Sequence, residues 1–163
     1  MKKIVLGLIF CCSALAHSEI VINSNGDRVD LKSNGTWALV PWTDADFVNN
    51  NEKFTIKVPD GGNHDVDVLV TPDVSLQDDG RRIKRKDLEF EVKLAAITGR
   101  YKLKDRYSYV PREVSVKQRG NNVSITISST AKNSYGADVP SDLTKEYYIE
   151  KNGRFTNKSM NDY

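Results

Sequence analysis

Arg28-Val-Asp-Leu-Lys-Ser-Asn-Gly-Thr-Trp-Ala-Leu-Val40 is the stretch from which the chain can be read. Val29 and Leu31 alternate with Arg28, Asp30 and Lys32, the period of a strand with one face in water. Ser33-Asn34-Gly35 supplies residues that tolerate positive φ, and Thr36 to Val40 returns as a β-branched and aromatic strand. Just upstream, Ile20-Val-Ile22 and the turn from Asn23 to Asp27 add a third strand. Residues 17–42 are therefore expected to form a β-meander.

Working outward, the same grammar continues. Phe54, Ile56 and Val58 alternate with lysines and a threonine before Pro59-Asp-Gly-Gly62 stops the run. Val66, Val68 and Val70 repeat the pattern, and Pro72 is expected to close that strand, because proline interrupts a central sheet ladder. In Asp87 to Ala95, Leu88, Phe90, Val92 and Leu94 alternate with Glu89, Glu91 and Lys93, which predicts a strand with one face in a core. Val114 and Val116, the turn Arg119-Gly-Asn-Asn122, and Val123, Ile125 and Ile127 read as a hairpin. Lys145 to Glu150 and Asn152 to Phe155 supply the last strand and turn. Nine or ten short strands and no sustained helical period point to an all-β chain: an antiparallel, immunoglobulin-like β-sandwich over 43–157, with a polar tail at 158–163.

Gly26-Asp-Arg-Val-Asp-Leu-Lys-Ser-Asn-Gly-Thr-Trp37 resembles a short pattern, Asp-Gly-x-x-Val-x-Leu-x-x-x-Gly-Thr-Trp, found near the mature N-terminus of many small secreted bacterial proteins. Most of those have no assigned function. Here the first pair is reversed, Gly26-Asp27. The resemblance covers about a dozen residues and implies a hairpin and export, with no active site to carry over.

The N-terminus agrees with export. Lys2 and Lys3, the apolar run Ile4 to Cys12 and Ala14-Leu-Ala16 have the three parts of a secretory signal peptide over 1–16. A lipoprotein signal is the competing reading, because Cys11 and Cys12 sit in the run, but Phe10 before Cys11 is a poor context for lipid attachment. Both cysteines leave with the signal, so the mature chain has no thiol for a disulfide, a metal or a nucleophile. No second apolar run is long enough to cross a bilayer as a helix. The expected location is periplasmic or secreted.

Charge is distributed unevenly. The whole chain has 24 Lys/Arg and 22 Asp/Glu, yet residues 17–80 carry 4 basic and 12 acidic groups while 81–119 carry 13 and 5. Arg81, Arg82, Lys84, Arg85 and Lys86 head the basic block. With Arg100, Lys102, Lys104, Arg106, Tyr101, Tyr107 and Tyr109 they would make a basic, aromatic surface for an anionic lipid or an acidic glycan. Export argues against nucleic acid. The plainer reading pairs this block with the acidic 60–79 block across the sheet.

Other chemistry is thin. His17 and His64 are the only histidines. His17, once terminal, could offer its α-amine and ring nitrogen to Cu(II), with His64 and Asp65 or Asp67 completing a nitrogen and oxygen set. Asp60, Asp65, Asp67, Asp73, Asp78 and Asp79 supply oxygen ligands without the ordered ladder of a calcium loop. Gly-x-Ser-x-Gly and Ser-x-x-Lys are both absent. The sequence thus favours a non-catalytic exported β-domain that needs no cofactor and binds an envelope protein, glycan or anionic lipid surface. A periplasmic copper-binding protein is the alternative.

Overall fold

The computed structural model describes residues 19–23, 27–77 and 79–158, and the chain divides into two compact units between Pro41 and Trp42. The expected signal segment, His17 and residues 159–163 of the expected tail lie outside the described residues.

The first unit is the meander. Strands β1 (Glu19–Ile22), β2 (Arg28–Leu31) and β3 (Trp37–Val40) pair antiparallel in that order. Val21 lies opposite Val29, Val29 opposite Leu39, and Leu31 opposite Trp37, so these five apolar residues share one face. Gly35 takes φ +80°, the left-handed geometry that the sequence anticipated at this turn. The Asn34 side chain accepts from both the backbone and the hydroxyl of Thr36.

The second unit is one six-stranded sheet with a helix on it. Its strands are β4 (Phe54–Pro59), β5 (Asp65–Ser75), β6 (Val110–Arg119), β7 (Asn122–Lys132), β8 (Asp138–Ile149) and β9 (Phe155–Asn157), in sequential order. All neighbours are antiparallel except β5 and β6, which run parallel. A parallel pair needs a crossover, and helix α1 (Arg85–Arg100) lies between them in the chain. The chain is therefore mostly β, as expected, and its larger unit is a six-stranded sheet with α1 packed on it through Leu88, Val92, Ala95 and Ala96.

The stretch 87–95 is thus helix where alternation predicted strand. Leu88, Val92, Ala95 and Ala96 recur at i, i+4, i+7 and i+8, all buried, and meet Ile56, Val58, Val68, Val114, Val116, Ile125 and Ile127 in the core. Phe90 and Leu94, expected in that core, are 64% and 45% exposed. The segment is rich in Leu, Glu, Lys and Ala and nearly free of β-branched residues, so propensity sides with the helix. Gly99 lies inside the helix, where an added Cβ would collide with the Leu143 side chain. It permits the close approach of α1 to β8.

Four prolines sit within strands, Pro59 and Pro111 at or next to the ends of β4 and β6, Pro72 and Pro140 further in. β5 runs through Pro72 to Ser75 because β4 pairs with it only as far as Val70. Beyond that point the Asn51 backbone N–H donates to the Pro72 carbonyl and the Asn50 side chain accepts from Val74 N–H. Pro140 lies in β8 where β9 does not reach, since β9 pairs only with Tyr147 to Ile149.

Candidate functional site

The basic run 81–86 covers the connection after β5 and the first two residues of α1, and most of it contacts neighbouring segments. The Gln118 side chain, buried, donates to the carbonyls of Arg81 and Gly120 at 2.7 Å, and the Asn121 side chain accepts from Arg81 N–H. Arg82 donates to Asp44 at 2.8 Å and to Asn49 at 2.9 Å, with its guanidinium 4.2 Å above the Phe47 ring. Lys84 Nζ sits 4.2 Å over Trp42. Arg85 donates to the Phe47 carbonyl and to Glu52 at 2.6 Å, and lies over Phe54. The hydrogen bonds that Asn49 and Arg85 give Glu52 hold that carboxyl below its usual range. Lys86 is exposed. Among the described residues, three ion pairs (Arg82–Asp44, Arg85–Glu52 and Arg119–Asp73) join the acidic and basic blocks, the first two through 44–52 rather than through the 60–79 block. Four of the five basic residues singled out in the sequence therefore hold neighbouring segments in place.

A different group of basic and aromatic residues lines an open cleft of about 180 Å³: Gly61, Asn63, Arg100, Tyr101, Arg106 and Tyr107. Three segments meet there. The turn after β4 supplies Gly61 and Asn63, the end of α1 supplies Arg100 and Tyr101, and the turn Arg106–Ser108 supplies the rest. Close packing fixes the arrangement. Gly61 N–H donates to the Tyr109 carbonyl at 2.7 Å, and a Cβ at Gly61 would overlap the Tyr107 carbonyl. Asn63 adopts φ +64°, tolerated by asparagine, which turns the loop back toward the helix end.

The two guanidiniums differ in setting. Arg100 is buried at 8% exposure, donating to the Asp60 carbonyl at 2.6 Å and to Asn63 Oδ1 at 2.7 Å. Two of its five N–H groups are thereby used, which fixes its plane and leaves three. Arg106 is exposed, donates to the Tyr107 hydroxyl at 2.8 Å, and lies 5.4 Å from the Tyr101 ring and 4.9 Å from that of Tyr107. The Tyr107 hydrogen bond raises the Arg106 pKa further.

Among the described residues, neither arginine forms an ion pair. The nearby carboxylates face elsewhere. Asp60 accepts from the backbone N–H groups of His64 and Gly62, the first of these doing most to hold its carboxyl below the ordinary 3.8. Asp105 accepts from Tyr107 N–H. Two fixed positive charges with unfilled donors thus border a concavity with two exposed phenol rings. The Tyr109 hydroxyl, within electrostatic reach of Arg100, is buried with no partner among the described residues, and burial pushes its pKa up to about 12.

His64 lies in the same turn, its Nδ1 3.5 Å from Asp60 Oδ2, with Asp65 exposed beside it. Among the described residues no three His, Asp or Glu side chains converge as a metal set, and His17 falls outside them. No helix of the described residues is long and apolar enough to cross a membrane.

The cleft residues were named in the sequence only as companions of the 81–86 run, and Gly61 and Asn63 were not named as part of it. One signal stood in the sequence: the dipeptide Arg-Tyr occurs at 100–101 and again at 106–107. Comparison with protein-family models, curated proteins and solved structures finds no match to this chain.

Proposed function

We propose that this chain is a non-catalytic β-domain, exported to the periplasm or beyond, that binds an acidic glycan of the bacterial envelope in the Arg100–Arg106 cleft. The observation that carries the reading is the pair of guanidiniums, unpaired with any described carboxylate, beside two exposed tyrosine rings. A guanidinium presents a planar fork that matches a carboxylate or phosphate. A tyrosine ring offers a rigid apolar face at low entropic cost, suited to the C–H face of a sugar. The cleft is smaller than the roughly 300–1,000 Å³ of sites that enclose drug-sized ligands, so it suits one charged residue of a polymer.

A glycan is favoured over a lipid surface. Recognition of an anionic bilayer rests on a cluster of exposed Lys/Arg, and the run that would supply one is turned onto Asp44, Glu52, Phe47 and Trp42. The copper alternative rests on His17 with His64 and Asp65, and no feature of the described residues favours it.

The test is a binding comparison. Oligogalacturonate should bind and the neutral oligosaccharide of equal length should not, with affinity falling as salt is raised. Arg106→Gln should abolish binding while Arg82→Gln leaves it intact. Absence of oligogalacturonate binding at low salt, or binding indifferent to Arg106, would refute the proposal. Binding only to vesicles containing anionic lipid would replace the glycan with a membrane.

A further inference from the structure

The face of α1 away from the core is not polar. Phe90, Leu94, Ile97 and Tyr101 are 64%, 45%, 37% and 60% exposed and recur at intervals of 4, 3 and 4. Four large apolar side chains in one exposed stripe mark an interaction surface. The spacing is that of alternate d and a positions in a heptad, the seam along which two helices pair.

The charges beside the stripe define the partner. With Phe90 at d and Leu94 at a, Lys86 and Lys93 fall at g, and Glu91 and Thr98 at e. In a parallel pair each g residue meets the e residue five positions later on the other helix, which sets Lys86 against Glu91 of the partner subunit, twice by symmetry. In an antiparallel pair, g lies beside g, and the g residues Lys86, Lys93 and Arg100 are all basic. Groups of the same chain also touch these charges. Lys93 is balanced by Glu89 at 2.8 Å, and Glu91 is hydrogen-bonded to the Tyr147 hydroxyl of β8 with Arg154 near it. Asp87 falls at a, at the N-terminal end of the seam, with Lys84 and Lys86 of its own chain near it.

We infer that Phe90, Leu94 and Ile97 form the seam of a parallel, two-fold pairing of α1 with a second copy of this chain. A helix of this length is only about 24 Å long, so the pairing is reversible and depends on concentration. It also places the two Arg100–Arg106 clefts at the same end of the paired helices, where a repeating anionic polymer could engage both and gain avidity. The pairing itself does not depend on what the clefts bind.

The test uses protein purified from the envelope fraction of a bacterium expressing the full sequence. In sedimentation equilibrium its mass should rise toward that of a dimer with concentration, and the double variant Phe90→Gln with Leu94→Gln should remain monomeric while keeping its circular dichroism. Lys86→Glu should weaken the dimer. Mild oxidation of Ile97→Cys should give a disulfide-linked dimer, because only a parallel pair sets position 97 against itself; Tyr135→Cys, at a site 95% exposed, should not. A monomer at every concentration, a dimer that survives the double substitution, or a dimer that Ile97→Cys does not cross-link would each overturn the inference.

Discussion

Leu88 and Phe90 stand two residues apart, and their fates separate the helix from the strand that alternation suggests. On a strand they would share a face; on a helix they lie about 200° apart. Leu88 is fully buried in the core and Phe90 is 64% exposed. Leu88→Ala removes side-chain atoms from a packed interior and should cost about 2–5 kcal/mol, transfer and cavity contributions together. Phe90→Ala removes mainly exposed surface and should stay within about 0.5 kcal/mol of the parent, with alanine's helix propensity offsetting the small loss of contact. The assay is urea unfolding followed by circular dichroism, at a concentration where the chain is monomeric. Thermal melts should separate the two variants by roughly 5–20 °C. A Phe90→Ala loss as large as that of Leu88→Ala would refute the helix and restore the strand.

Tyr109→Phe removes a buried hydroxyl with no described partner and should stabilise the fold by roughly 1 kcal/mol, read from the urea midpoint. Because burial raises the folded pKa of Tyr109 to about 12 from 10.0, the parent should lose stability as pH rises from the lower value through the higher, and Tyr109→Phe should lose less over that window. Arg100→Ala should destabilise by about 1–3 kcal/mol, since it strips partners from the Asp60 carbonyl and the Asn63 amide oxygen, whereas Arg106→Gln should leave the melt unchanged. Gly61→Ala should cost about 1–3 kcal/mol and weaken ligand binding as well, because the new methyl displaces the backbone that carries Arg106 and Tyr107. A Gly61→Ala protein with unchanged stability and binding would contradict the packing described for the cleft.

The meander and the hairpin of β6 and β7 were legible because local turn chemistry specifies them: Ser33-Asn34-Gly35 and Gly120-Asn121 each close a tight reversal between alternating runs. Helix α1 was not, and the cause is specific. Phe90 and Leu94 completed a period-two pattern with Leu88 and Val92 although they serve another surface, so exposed apolar residues imitated the inner face of a strand. The course of β5 through Pro72 depended on where β4 ends, which is tertiary information. For the candidate site, the charge at 81–86 is denser in sequence than that around Arg100 and Arg106. Composition records how many cations a segment carries; only the fold shows that Asp44, Glu52, Phe47 and Trp42 lie against the first group and that no described carboxylate pairs with the second.

The claim that the Arg100–Arg106 cleft is a binding site for an acidic glycan is tested most directly by nuclear magnetic resonance. Titration of oligogalacturonate into ¹⁵N-labelled protein should shift the backbone signals of Gly61, Asn63, Tyr101 and Tyr107 and the guanidinium Nε signals of Arg100 and Arg106, and these shifts should vanish in Arg106→Gln. Shifts confined to residues 81–86, or a spectrum that does not change at low salt, would contradict it.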